Sequence, residues 1–199
     1  MLKKFNSLLL IILILFAGCQ PEDLVDPFLD DDPDDSGSKS SISYKVDGEL
    51  IQGTFSEDNI IDIGSLTGEV IKSTNLTNIT IGGAILKNSK MYGIVIYLTT
   101  DKTYDQLKNG DSFVGNISNL SQLTFAGFGI EDLIDDTVFS SSGDEDEIEN
   151  QNLVVSITKI DHDEDIISGT FSFDAHDEEL NLTKKITEGK FTNVFLEEK

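Results

Sequence analysis

The stretch Ile167-Ser-Gly-Thr-Phe-Ser-Phe173 decides the fold class. Ile167, Gly169, Phe171 and Phe173 alternate with Ser168, Thr170 and Ser172. A side-chain period of two puts the first set on one side of an extended chain and the hydroxyls on the other. That is the pattern of an antiparallel strand with one face on a core and one in water. Upstream, residues 153–160 form a second such run, joined to the first by an acidic turn at 161–165. Downstream, residues 186–196 supply another.

The same grammar extends back to Ile42. Residues 43–47 and 49–55 flank Asp47-Gly48, a dipeptide suited to a type I′ turn, so they predict a β-hairpin. Residues 59–66, 69–73 and 78–86 continue the pattern. Tyr92-Gly-Ile-Val-Ile-Tyr-Leu-Thr99 is the most apolar run of this part and predicts a central strand. Residues 104–109 suit one helical turn, ended at Gly110. Residues 112–117 and 122–128 predict further strands, and the polar stretch 140–152 a loop. Gly-Thr-Phe-Ser occurs at 53–56 and again at 169–172, which we read as shared strand grammar rather than a repeat. Many short strands with little helix indicate an all-β fold, an antiparallel β-sandwich or barrel-like domain spanning residues 41–199.

Before residue 41 the texture differs. Lys3 and Lys4 precede an aliphatic run from Leu8 to Ala17. Crossing a bilayer as a helix takes about 20 apolar residues, and this shorter run has the length of an export signal's apolar region. Its end, Leu15-Phe16-Ala17-Gly18-Cys19, resembles the bacterial lipobox: Leu, a tolerant position, two small residues, Cys. The resemblance implies that residues 1–18 are a signal peptide, cleaved after Gly18. It further implies a diacylglycerol on the Cys19 thiol and a third acyl chain on its freed amine. The other reading, a buried cysteine in a short core helix, is opposed by Pro21 and by the lack of helical pattern beyond Gln20. At about 0.8 kcal/mol per buried methylene, two or three chains hold a protein on a membrane durably. Cys19 is the single cysteine, so no disulfide can staple the domain and its core must stabilise it.

Gln20-Pro21-Glu22-Asp23 resembles the acidic signal that sends lipoproteins of the Bacteroidetes phylum to the cell surface. The expected location is therefore the outer membrane, lipid-anchored, on its outer face. Residues 19–40 are rich in acids and poor in apolar groups, which predicts a disordered linker, extended by self-repulsion into a stalk.

The chain carries 37 Asp and Glu against 14 Lys and Arg, a formal net charge of −23. All the basic residues are lysines, so guanidinium clamps on phosphate or carboxylate are absent. Nucleic-acid binding needs a basic footprint, and this composition excludes it. An anionic membrane surface would repel the chain, which leaves the acyl chains as its membrane contact.

Three closing segments, Val155-Ser-Ile-Thr-Lys-Ile160, Ile167-Ser-Gly-Thr-Phe-Ser-Phe173 and Ile186-Thr-Glu-Gly-Lys-Phe191, together resemble the last strands of small Bacteroidetes outer-membrane lipoproteins with an all-β domain of unknown function. Tyr44-Lys-Val-Asp-Gly48 is similar to the start of that domain. The resemblance covers residues 42–196, with its sharp motifs at the two ends. It implies a lipid-anchored all-β domain facing the surface or periplasm, and it supplies no catalytic residues.

Hydrolase signatures are absent: no Gly-x-Ser-x-Gly elbow and no His-Glu-x-x-His. The expectation is a non-enzymatic binding or structural role, with a glycan- or calcium-binding accessory protein as the alternative. His162, within Asp161-His-Asp-Glu-Asp165, and His176, within Asp174-Ala-His-Asp-Glu-Glu179, each sit among carboxylates that suit transition metals. A straight strand over 166–173 would hold the two clusters roughly 25 Å apart, too far to share an ion. Both are then polar turns. Asp32, Asp34 and Ser36, followed by Gly37, match the first half of a calcium loop, but Ser43 stands where the closing acid belongs, which predicts weak association. Sugar platforms use exposed aromatics, and the chain has no Trp and only Tyr44, Tyr92, Tyr97 and Tyr104 besides its phenylalanines. Asp136-Thr137-Val138 resembles the Asp-Thr-aliphatic acceptor of Bacteroidetes O-glycosylation, which makes Thr137 a candidate glycosylation site.

Overall fold

A computed structural model describes residues 39–55, 64–116, 118–135, 137–141 and 152–199. The lipobox residues, the stalk with Asp32, Asp34 and Ser36, and most of the 140–152 loop lie outside the described residues.

The described residues form eleven strands: β1 Ser40–Val46, β2 Glu49–Phe55, β3 Gly64–Lys72, β4 Thr77–Lys87, β5 Lys90–Thr100, β6 Ser112–Val114, β7 Thr124–Asp132, β8 Thr137–Ser140, β9 Val154–Asp161, β10 Ile166–Asp177 and β11 Leu182–Glu198. One layer has the order β6-β9-β10-β11-β1-β2 and the other β11-β3-β4-β5-β7-β8. β11 belongs to both. Its first part pairs with β1 and its last residues pair with β3, the one parallel pairing among the described strands. The sheet is continuous but open, so the all-β expectation resolves as a sandwich-like domain rather than a barrel.

Turn chemistry explains the hairpins. Asp47 and Gly48 have φ of 49° and 91°, the pair of positive values that a type I′ turn needs. Asn88 and Ser89, at 51° and 63°, make an equally tight turn between β4 and β5. β5 pairs with β4 and β7 on its two sides and is the central strand expected.

The opening stretch forms the middle of β10. Gly169 faces Phe191 across β11, and Phe171 faces Gly189. A Cβ on either glycine would collide with the ring opposite. Each ring therefore lies over the opposing glycine, and the Phe171 and Phe191 rings stack 6.4 Å apart. β11 bulges at Glu188 and Asn193, where φ is 52° and 51° and three β11 residues span two on β10. Bulges bend and twist a strand, which suits one that passes from one layer to the other.

The two layers meet on one core. Tyr44 of β1 contacts the Phe128 ring of β7 edge-on at 6.1 Å, and Ile42 reaches the Gly83 backbone of β4. Ile51, Val70, Ile81, Ile96, Phe173 and Leu196 complete the buried centre.

Several boundaries differ from expectation. Strands 59–66 and 69–73 merge, within the described residues, into the single β3, because Gly68 does not break it. Gly68 instead lets the Phe195 carbonyl of β11 approach. The helical turn shrinks to a 3-10 turn at Tyr104–Gln106. β6 stops at Val114, while β7 starts at Thr124 and runs on to Asp132, followed by β8, a strand not anticipated. His176 is not in a turn: alternate burial of Phe171, Phe173, Ala175 and Asp177 carries β10 through it.

Candidate functional site

Titratable side chains converge at one end of β10. The parallel pairing of β11 with β3 sets Glu198 opposite Val70, which brings the strand end at Lys72 alongside. Lys72 Nζ lies 3.3 Å from a Glu198 carboxylate oxygen. From the β9–β10 turn, the Asp165 carboxylate accepts from the same ammonium at 2.9 and 3.1 Å. The ammonium also sits 4.4 Å from the centre of the Tyr104 ring, a cation–π contact. Tyr104 comes from the 3-10 turn after β5, where the Thr103 N–H donates to the Gln106 side chain. His162 packs edge-on against Tyr104 at 5.0 Å.

The turn itself is built from acids. Asp161 accepts from the backbone N–H groups of Asp163 and Glu164, and Asp165 takes a φ of 51°. Short acidic side chains favour such local bonds and tolerate the left-handed region. The Asp165 carbonyl then accepts from the Leu196 N–H at 2.7 Å, tying the turn to β11.

Electrostatics shift three of these groups from their ordinary ranges. The Lys72 hydrogen bond holds the Asp165 carboxyl below its usual range, and Asp165 in turn raises Lys72. Burial, followed by the nearby Asp165 carboxylate, pushes the Tyr104 phenol well above the ordinary tyrosine range. Its hydroxyl has no hydrogen bond of good geometry among the described residues. His162 Nε2 lies 3.0 Å from the Leu107 carbonyl, which only a donor can satisfy, so Nε2 carries the proton. Nδ1 is buried, with no hydrogen-bond partner among the described residues. Lys72 is spent on two carboxylates and a ring, and Tyr104 keeps its proton. The arrangement holds a turn, and no group in it is poised as a nucleophile with an adjacent base.

The other sequence candidates are dispersed. His176 lies near the far end of β10, its Nδ1 3.0 Å from the Thr183 hydroxyl of β11. The two histidines therefore occupy opposite ends of one strand, as the spacing predicts. Among the described residues no group of three or more His, Cys, Asp or Glu side chains is placed to hold a metal ion. Thr137 is exposed at the first position of β8, opposite Asp132, with Val138 exposed beside it. Tyr44, Tyr92 and Tyr104 are core residues. Tyr97 faces away from the core and stacks on Phe125, its cross-strand partner, at 5.0 Å.

Sequence reasoning missed Lys72, Tyr104 and Glu198 as neighbours of the His162 turn. Lys72 and Asp165 are 93 positions apart, and no local pattern links them. It also missed Asp177, buried at the far end of β10. Its carboxylate accepts from the Ser140 N–H at 2.8 Å and the Leu180 N–H at 2.9 Å. An acid on the apolar phase of a strand was the available signal.

No protein-family model, no curated protein and no solved structure matches the chain. Fold and site together define a class: an open, all-β, sandwich-like domain with an ion-paired polar cluster at one end of β10.

Proposed function

We propose that the chain is a lipid-anchored cell-envelope protein with a non-enzymatic binding or structural role, carried by its β-domain on an acidic stalk at the outer membrane. The observation that carries this reading is Leu15-Phe16-Ala17-Gly18-Cys19, placed after Lys3-Lys4 and the aliphatic run, with Cys19 the single cysteine. Two further features support it. The first strand begins at Ser40, which leaves about twenty acidic, Pro- and Ser-containing residues between Cys19 and the domain. The titratable cluster at Lys72 is occupied by its own ion pairs. The similarity of the closing strands to small Bacteroidetes lipoproteins agrees with it. Weak calcium association at Asp32, Asp34 and Ser36 would then belong to the stalk.

The test is Cys19→Ala expressed in a host that processes lipoproteins. The native chain is expected in the membrane fraction, with an intact mass that lacks residues 1–18 and carries acyl groups on Cys19. C19A should lose the acyl mass and stay uncleaved. A native chain without acyl mass overturns the proposal.

A further inference from the structure

β4 and β5 are apolar on both faces. Ile79, Ile81, Ile94, Ile96 and Leu98 face the core. On the opposite face, Gly82 pairs with Val95, and Val95 with Gly127. In the next row Ala84 pairs with Gly93, and Gly93 with Gly129. These residues form a low floor. Tyr97, stacked on Phe125, walls it on one side, and the Leu86–Met91 pair walls it on the other. The trough runs across β3, β4, β5, β7 and β8, with Ser65 and Thr67 at one end and Ser140 at the other. Strand spacing and rise make this face about 19 by 20 Å, or roughly 400 Å².

A sheet face turned to water is normally polar. Here Ala84 and Val95 are only 3% and 6% exposed, although they point away from the core and have glycines for neighbours. Such a face takes a cover. A second copy is too large for it, since a stable interface buries about 800 Å² on each partner. A glycan finds no side-chain donor or acceptor on a floor of Gly, Ala and Val. An extended peptide fits, because glycines let its backbone come close and the walls hold its apolar side chains. The chain carries such a peptide. Leu24-Val-Asp-Pro-Phe-Leu29 contains all the large apolar residues between Cys19 and Ser38. Pro27 opposes a helix and biases Asp26 toward extended backbone. β1 begins at Ser40 opposite Phe55, whose ring lies against Gly64 at the start of β3. The chain therefore enters the domain beside the β3 end of the trough. Residues 30–39 reach about 33 Å, more than the trough's length.

We propose that residues 24–29 of the same chain dock in this trough, with Phe28 on the floor between the two walls. The docking stands independently of Cys19. Its consequence rests on the lipid anchor proposed above: only residues 20–23 then separate the acylated cysteine from the docked segment. The acidic stalk thereby becomes a short tether that turns this face of the domain toward the membrane.

The chain has no tryptophan, so Phe28→Trp supplies a single reporter in the full chain, purified in detergent. Its emission is expected to be blue-shifted and shielded from acrylamide. Adding Val95→Glu on the floor, or Tyr97→Ala in the wall, should shift the emission to the red and raise quenching several-fold. Thr170→Glu, on the other layer, should leave both unchanged. Unfolding temperatures check that each variant folds, and Tyr97→Ala carries the test if Val95→Glu does not. The readout does not involve acylation, so it can fail while the lipid anchor holds. A water-exposed emission from F28W overturns the proposal. So does a blue shift that neither trough variant moves, which would belong to the detergent, or one lost on dilution, which would belong to a second copy.

Discussion

The two ends of β10 carry the same kind of sequence and hold the fold in different ways. Each has a histidine among acids. At the His162 end, Asp165 is partly solvated and bonds to Lys72, so a charge holds a charge. At the His176 end, Asp177 is 5% exposed and accepts from backbone N–H groups of Ser140 and Leu180, so a charge holds a chain. A partly exposed ion pair is screened by water and salt more than a buried carboxylate on backbone donors. An acid-rich sequence thus hides two distinct devices, and burial alone separates them.

The sharpest way to break the comparison is Asp177→Ala. It strands the buried Ser140 N–H and should destabilise the domain by ~2–4 kcal/mol, with little dependence on salt, read from urea midpoints at low and high ionic strength. A loss below that of the Lys72 variant, or one that salt removes, would show that the two ends work alike.

Lys72→Met comes next, at ~1 kcal/mol and shrinking with added salt. It also reports on acid stability. Because Asp165 is depressed in the fold, its contribution is present above the unfolded carboxyl pKa and disappears as pH falls through the lower folded value. The variant should flatten that part of the acid-unfolding curve, and an unchanged curve would break the assignment.

Tyr104→Phe should have the smallest effect, within about 1 kcal/mol of neutral, since its hydroxyl has no good partner. Its signature is alkaline. The folded state keeps the phenol protonated where the unfolded chain ionises it, so stability falls as pH rises above ~10. Tyr44, raised even more by its burial, does the same. Removing Tyr104 should make the alkaline decline shallower, measured by thermal unfolding between pH 9 and pH 11. An unchanged decline would mean that the phenol ionises freely in the fold.

The legible and illegible parts divide along chain separation. Alternation over 167–173 identified β10 and its faces, and Asp47-Gly48 identified its hairpin, because both signals lie within a few residues. The tight turn at Asn88-Ser89 was equally local, but Asn-Ser is a weaker type I′ signature than Asp-Gly. β8 escaped because Thr137-Val-Phe-Ser140 is short and follows a polar stretch. The His162 turn was readable as a turn, while its partners Lys72, Tyr104 and Glu198 were not.

The amino-acid order by itself settled that this chain makes strands, which side of β10 is apolar, and where the Asp47-Gly48 and 161–165 turns fall. Those properties follow from a two-residue period and from backbone preferences, both local. Only the tertiary structure decided that β11 serves both layers, that Lys72 meets Asp165, and that Gly82, Val95 and Gly127 form one row. Lateral register is set where distant residues fit one another, as Phe171 fits over Gly189 and Phe191 over Gly169. A one-residue slip there would turn every side chain to the opposite face.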